Sequence, residues 1–273
     1  MDLFLKIDNK EYKLQAELVG APTPTGKYVM LNCINWASFD NLPILDASEL
    51  TNFVYLVSGA GVILGGNSTI ENKLVSDVHA KGKKVTFSIA GGTQSVADIT
   101  AAVTTNRTAF INNIANKITQ YNYDGIAVDI ENTNLNSQVM PDFLNALRAK
   151  LDTIKPNLRI GVYTQPYQLN TVWAKIAEAK NAITWLSPML YDYPNSVEQI
   201  KTTTQPWVDR VGKEKILLGA AVNYDASGFD LNEWSRALDI VNTEGWQGVG
   251  IWQNQLYTQP YRDITKSKFG TIV

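Results

Sequence analysis

The stretch "YNYDGIAVDIENTN", residues 121–134, ends an apolar run on two acids one residue apart, Asp129 and Glu131. If the run is a strand, its side chains alternate faces. Ala127, Asp129 and Glu131 then share one face, and Ile126, Val128 and Ile130 share the other. Two carboxylates this close raise one another's proton affinity, which is costly unless the held proton is used, as by a general acid. The single histidine, His79, lies in "SDVHAKG" at the end of a helical stretch, where a solvated or dipole-satisfying role is expected. A Ser-His-Asp triad or a histidine-rich zinc site is therefore not available, and neither a metal nor an organic cofactor is called for.

The elements that must carry these acids are legible as a repeat. Short β-rich runs fall at 27–35, 52–58, 83–92, 125–131, 158–165, 184–191, 215–223 and 248–255. Between them lie stretches of helical periodicity: "STIENKLVSDVHAKG", "RTAFINNIANKITQYN", "MPDFLNALRAKLDTI", "TVWAKIAEAKN", "SVEQIKTTTQPWVDRVG" and "LNEWSRALDIVNTEG". Gly82 and Gly245 sit where helix C-termini favour glycine. Eight strand-and-helix units in roughly 250 residues predict an α/β fold, a (β/α)8 TIM barrel over residues 27–273. An open doubly wound sheet would place a glycine-rich phosphate turn after its first strand, and none is present. "GAGVILGG" (59–66) follows the second run instead and reads as a flexible loop. Residues 1–26 read as a separate extension: a small β-hairpin with "DNKE" as its turn, then the stiff tether "GAPTPTG", either plugging the barrel bottom or serving as a docking tag for an anchoring partner. In such a barrel the C-terminal ends of strands hold the chemistry, and Asp129 and Glu131 close the fourth.

Bulk properties narrow the partners. The chain has 273 residues, a formal net charge of −2 and 45% hydrophobic residues, enough for a sizeable core and too little positive charge for a nucleic-acid or anionic-lipid surface. One cysteine, Cys33, makes no internal disulfide and reads as a buried thiol. Charges enter the N-terminal residues too early for a signal peptide, and no apolar run is long enough for a bilayer. The expectation is a soluble chain, cytoplasmic or exported by a non-classical route.

These residues resemble glycoside hydrolase family 18, the chitinases and endo-β-N-acetylglucosaminidases. "DGIAVDIE" (124–131) is similar to the family signature D-G-x-D-x-D-x-E at Asp124, Gly125, Asp129 and Glu131, with Ala127 where the family carries its first inward Asp. "SIAGG" (88–92) is similar to S-x-G-G, with Ser88, Gly91 and Gly92 where backbone clears the substrate. "MLYDY" (189–193) is similar to M-x-Y-D, and "GIWQNQ" places Trp252 at the family's sugar-floor tryptophan. The resemblance implies retaining, substrate-assisted hydrolysis of β-1,4-linked N-acetylglucosamine in chitin or related glycans. Glu131 would be the acid and base, Asp129 would orient the acetamide, and Tyr191 would donate to its oxygen. Trp252, Asp192, Met189 and Gly92 would contact substrate. Trp36, Tyr55, Gln165 and Tyr163, near other strand ends, either line the groove or pack the barrel. Trp173, Trp207, Trp234 and Trp246 read as helix packing.

Retention of Glu131 favours an enzyme. The missing Asp gives standing to a weakly active or non-cleaving glycan-binding protein, and an endo-β-N-acetylglucosaminidase acting on N-glycans is the other alternative. Only one loop and one helix fit between the seventh and eighth strands, so the groove is expected to be shallow. Removing one inward carboxylate eases ionisation of Asp129 and should slow the reaction without abolishing it. Ala127→Asp is therefore expected to raise turnover or to shift the pH optimum, and an unchanged pH–rate profile would show that another group compensates.

Overall fold

The computed structural model describes residues 3–7, 10–14, 26–34, 42–131, 135–191, 196–224 and 228–273. Two N-terminal strands, β1 (Leu3–Ile7) and β2 (Lys10–Leu14), pair antiparallel. Eight parallel strands follow: β3 (Tyr28–Ile34), β4 (Glu49–Val57), β6 (Lys84–Ala90), β7 (Gly125–Asp129), β8 (Arg159–Thr164), β9 (Trp185–Pro188), β10 (Leu217–Ala221) and β11 (Gly248–Trp252). They are ordered β10-β11-β3-β4-β6-β7-β8-β9. Parallel bridges Leu186–Ile216 and Met189–Gly219 join the two ends of that path, giving the (β/α)8 TIM barrel that the repeat predicts.

Helices α1 (Ser68–Ala80), α2 (Val96–Val103), α3 (Arg107–Tyr121), α4 (Val139–Asp152), α5 (Ile200–Val211), α6 (Leu231–Glu244) and α7 (Gln259–Phe269) pack outside. Gly245 caps α6 in the left-handed region, φ 70°.

Alternation along each strand produces two apolar layers. Ile126, Val128 and Ile130 join Val29, Leu31, Val162 and Ile251 against the helices, whereas Ala127 faces Tyr28, Met30, Tyr163, Trp185 and Leu217 inside the ring. Trp173, Trp207, Trp234 and Trp246 are all fully buried in the outer layer. Cys33 is buried there too, and burial pushes its thiol well up.

The structure corrects several local expectations. Residues 171–181 form no α-helix. Successive i to i−3 bonds, such as Ile176 N–H to Trp173 O (3.1 Å) and Ala182 N–H to Ala179 O (2.9 Å), make a 3-10 path. The buried residues Trp173, Ile176, Ala179 and Ala182 recur every three positions, a 3-10 period. "GAGVILGG" is not simply a loop, because β5 (Ile63–Leu64) pairs antiparallel with β4. The second barrel strand starts at Glu49, not 52, since its inward residues there are polar. The fourth ends at Asp129, leaving Glu131 beyond the ladder.

Polar residues fill the bottom of the ring. Glu49, Arg159, Tyr28 and Trp185 each open a strand; the Glu49 carboxylate accepts from Tyr28 Oη (2.5 Å), Thr86 Oγ1 (2.8 Å) and Trp185 Nε1 (3.4 Å) and forms an ion pair with Arg159 Nε (2.5 Å). The guanidinium also lies 4.7 Å from the Tyr28 ring centre. Burial, with Glu49 beside it, holds the Tyr28 hydroxyl well above the ordinary phenol range. Gly161 lets the Trp185 indole cross the interior, since a Cβ there would lie 2.0 Å from the indole. Arg159→Met strands the Glu49 charge and is expected to cost about 3–5 kcal/mol. The paired Glu49→Leu/Arg159→Met change should cost less. Urea unfolding of both proteins checks this, and equal losses would contradict it.

Candidate active site

The three inward positions of β7 climb towards the barrel mouth. Ala127 is fully buried, Asp129 is 1% exposed, and Glu131 is half-buried just past the strand. In register beside Ala127 stands Ser88 on β6, whose buried hydroxyl has no hydrogen-bond partner among the described residues. Asp129 lies between Ala90 on β6 and Tyr163 on β8.

The turn after β6 brings the glycines to these acids. Ala90 (φ 78°) and Gly91 (φ 87°) both adopt left-handed backbone, which for alanine costs on the order of 1–3 kcal/mol. The turn sends the Gly91 N–H to the Asp129 carbonyl (2.6 Å). It also lays Gly92 against the acid, where an added Cβ would stand 3.4 Å from Glu131 Oε1.

The continuation of β8 holds Glu131 from the other side. Gln165 Nε2 donates to Glu131 Oε2 (2.9 Å). Gln168, from the 3-10 turn Pro166–Asn170, donates to the carbonyls of Ile130 (3.0 Å) and Glu131 (2.6 Å), and Tyr167 Oη donates to the latter at 3.2 Å. Gln168 and Tyr167 were not singled out in the sequence. Nothing in "QPYQL" marks its glutamines as partners of an acid 34 or more residues earlier.

Trp252 ends β11, four strands round the ring from β7, and so faces Glu131 across the mouth. Tyr191, just beyond β9, lies between them in ring order, with its ring parallel to the indole (7°) at 6.1 Å between centres. Tyr224, after β10, packs on the same inner cluster. Met189 is buried in that cluster.

Tyr163 points into the ring, where its hydroxyl donates to Asn32 Oδ1 and its ring meets Trp185 edge-on at 5.1 Å. Burial raises its pKa well above the ordinary phenol range, and the nearby Asp129 adds to the rise. Tyr55 turns to the outer layer, hydrogen-bonding Glu71 while Lys117 lies 4.0 Å from its ring centre, so barrel packing describes it and groove lining does not. Trp36 and Asp192 lie outside the described residues.

Asp124 is at the opposite end of β7. Its carboxylate accepts from the Val85 N–H (2.9 Å) and pairs with His79 Nε2 (2.8 Å), tying α1 to the barrel bottom. His79, expected to be solvated or to satisfy the helix dipole, sits in the last turn of α1 and has this structural partner as well. The bottom face also carries a cavity of about 490 Å³ lined by Lys27, Trp246, Gln247 and Phe269, remote from the paired acids. Among the described residues no cluster of His, Cys, Asp and Glu could hold a metal ion.

Residues 35–226 match the glycosyl hydrolases family 18, and the chain belongs to that family. Its fold is shared with a chitinase from Rhizomucor miehei (TM-score 0.77, 13% identity, covering 89% of this chain and 100% of that one). It is also shared with the Group IV chitinase of Ostrinia furnacalis (TM-score 0.75, 14% identity, 90% and 100% covered). A family 18 chitinase from the chitin utilization locus of Flavobacterium johnsoniae gives a TM-score of 0.73 at 19% identity, with 89% and 94% covered. No curated protein matches the chain by sequence.

Since the three atoms nearest a Cβ at Gly92 all belong to the Glu131 carboxylate, at 3.4 to 3.7 Å, Gly92→Val should fold normally and cover it. The expected midpoint of thermal unfolding stays within about 4 °C of the parent. Any turnover that uses Glu131 should fall at least ~tenfold, as for other small displacements in a site. Parent-like turnover would show that this face of the acid is not used.

Proposed function

We propose that the protein is a chitinase-type glycosidase that cleaves β-1,4-linked N-acetylglucosamine polymers with retention of configuration. The observation that carries this reading is Glu131, half-buried at the mouth of a family 18 barrel, two residues beyond buried Asp129 and hydrogen-bonded through Gln165. A half-buried carboxyl reaches both solvent and a bound glycan, as a group that gives up and regains a proton must.

In this reading protonated Glu131 gives its proton to the glycosidic oxygen as the C1–O bond breaks. The acetamide oxygen of the same sugar forms a bond to C1, which yields an oxazolinium ion. Asp129 accepts from the acetamide N–H and offsets its positive charge, and Tyr191 donates to the acetamide oxygen. The ionised Glu131 then takes a proton from water, whose oxygen attacks C1, reopens the ring and leaves the acid protonated again. Trp252 offers its indole to the C–H face of the sugar. Met189, Gly92 and Asp192 complete the contacts in this proposal, and no cofactor enters the reaction.

Ala127 supports a second reading, a glycan-binding protein with little or no hydrolysis, because β7 then carries no carboxylate below Asp129 to share a proton with it. Incubation with chitin oligosaccharides and with an N-glycosylated protein, beside a Glu131→Gln control, separates the readings. Shorter oligomers are expected from the parent, with at least ~100-fold less from Glu131→Gln. Binding without cleavage would establish the second reading, and release of intact N-glycans would identify an endo-β-N-acetylglucosaminidase.

A further inference from the structure

Glu131 lies past the last residue of β7, so the strand ladder does not hold its peptide. The carbonyls of Ile130 and Glu131 instead both meet the side chain of Gln168, which is 1% exposed, and Tyr167 Oη reaches the second of them as well. The Gln168 Nε2 donates to both, at 3.0 and 2.6 Å. Its Oε1 is engaged as well, accepting the Gln165 N–H (3.0 Å) and the Trp173 indole N–H (3.3 Å). Gln165 then reaches the acid from the other end, through Nε2 to Oε2 (2.9 Å). The hydrogen bonds close a circuit: Glu131 carboxylate, Gln165 side chain, Gln165 backbone, Gln168 amide, Glu131 carbonyl.

We propose that Gln168 is a positioning residue for the Glu131 carboxyl, fixing at once the peptide that bears the acid and the residue that holds its carboxylate. This inference rests on the role given to Glu131 above. A buried primary amide suits the task because it offers two donors and an acceptor with two lone pairs in one plane, and here both ends are occupied. The fully buried Trp173 indole fixes the amide in turn. This arrangement gives the 3-10 path after β8 a purpose beyond connection, since it carries Gln165, Gln168 and Trp173 in one short span.

The test is Gln168→Met, which keeps the length of the side chain and removes donors and acceptor together, with Gln168→Glu as a second variant that keeps an acceptor of the same size. Kinetics on N-acetylglucosamine oligomers and hydrogen exchange of the peptide covering residues 125–131 are measured on both variants and on the parent. The expected result is a fall in kcat of about 10- to 100-fold with KM changed less than about threefold, the signature of a misplaced group. Exchange in that peptide should quicken while the rest of the barrel stays protected. If the parent cleaves nothing, the proposed function fails and exchange alone decides the clamp: unchanged protection in the variants overturns it. With an active parent, a parent-like kcat overturns it. So would a loss that tracks only the fraction of protein folded.

Discussion

The two-residue alternation of β7 is the constraint on which the rest depends. Because the ring is closed, each inward position of that strand has a fixed height: Ala127 in the packed interior, Asp129 at the upper layer, Glu131 above it. A slip of one residue would exchange this series with Ile126, Val128 and Ile130, putting three large aliphatics inside the ring and two acids against the helices. The outer layer, into which those aliphatics are packed, excludes that slip. Hydrophobic burial on one face thus sets the acids on the other.

The closed ring also separates two uses of charge. At the bottom, Glu49 is surrounded by Arg159, Tyr28, Thr86 and Trp185, so its charge is fully engaged within the protein. At the top, Glu131 is held by a neutral amide and stays half-buried, open to a ligand. An arginine in place of Gln165 would hold the carboxylate more firmly and would also oppose its protonation. A neutral partner fixes geometry without adding a charge beside the carboxylate, which suits the acid-and-base role proposed for Glu131.

Much of this was legible in the sequence, for physical reasons. Strands buried on both sides read as apolar runs, so all eight were found, and the period of two placed Asp129 and Glu131 on one face. The start of β4 was hidden because Glu49 and Thr51 are polar yet inward, a combination that single-residue hydropathy reads as loop. The stretch after β8 was misread as an α-helix although its apolar residues recur every three positions. The support of Glu131 was legible only at Gln165, a candidate groove residue, and not at Tyr167 or Gln168. It comes from Gln165, Tyr167 and Gln168, whose hydrogen bonds depend on how two neighbouring strand ends meet in space. His79 and Asp124 likewise find each other only through the packing of α1 on the barrel.

In the proposed reaction Glu131 serves one face of an amino sugar twice, first as acid and then as base, with the sugar's own amide between the two steps. This is tested most directly by proton NMR of the first products from a chitin oligosaccharide, recorded before the anomers equilibrate. Retention gives the β-anomer at the newly formed reducing end. Initial formation of the α-anomer would mean direct attack by water from the opposite face, and would contradict it.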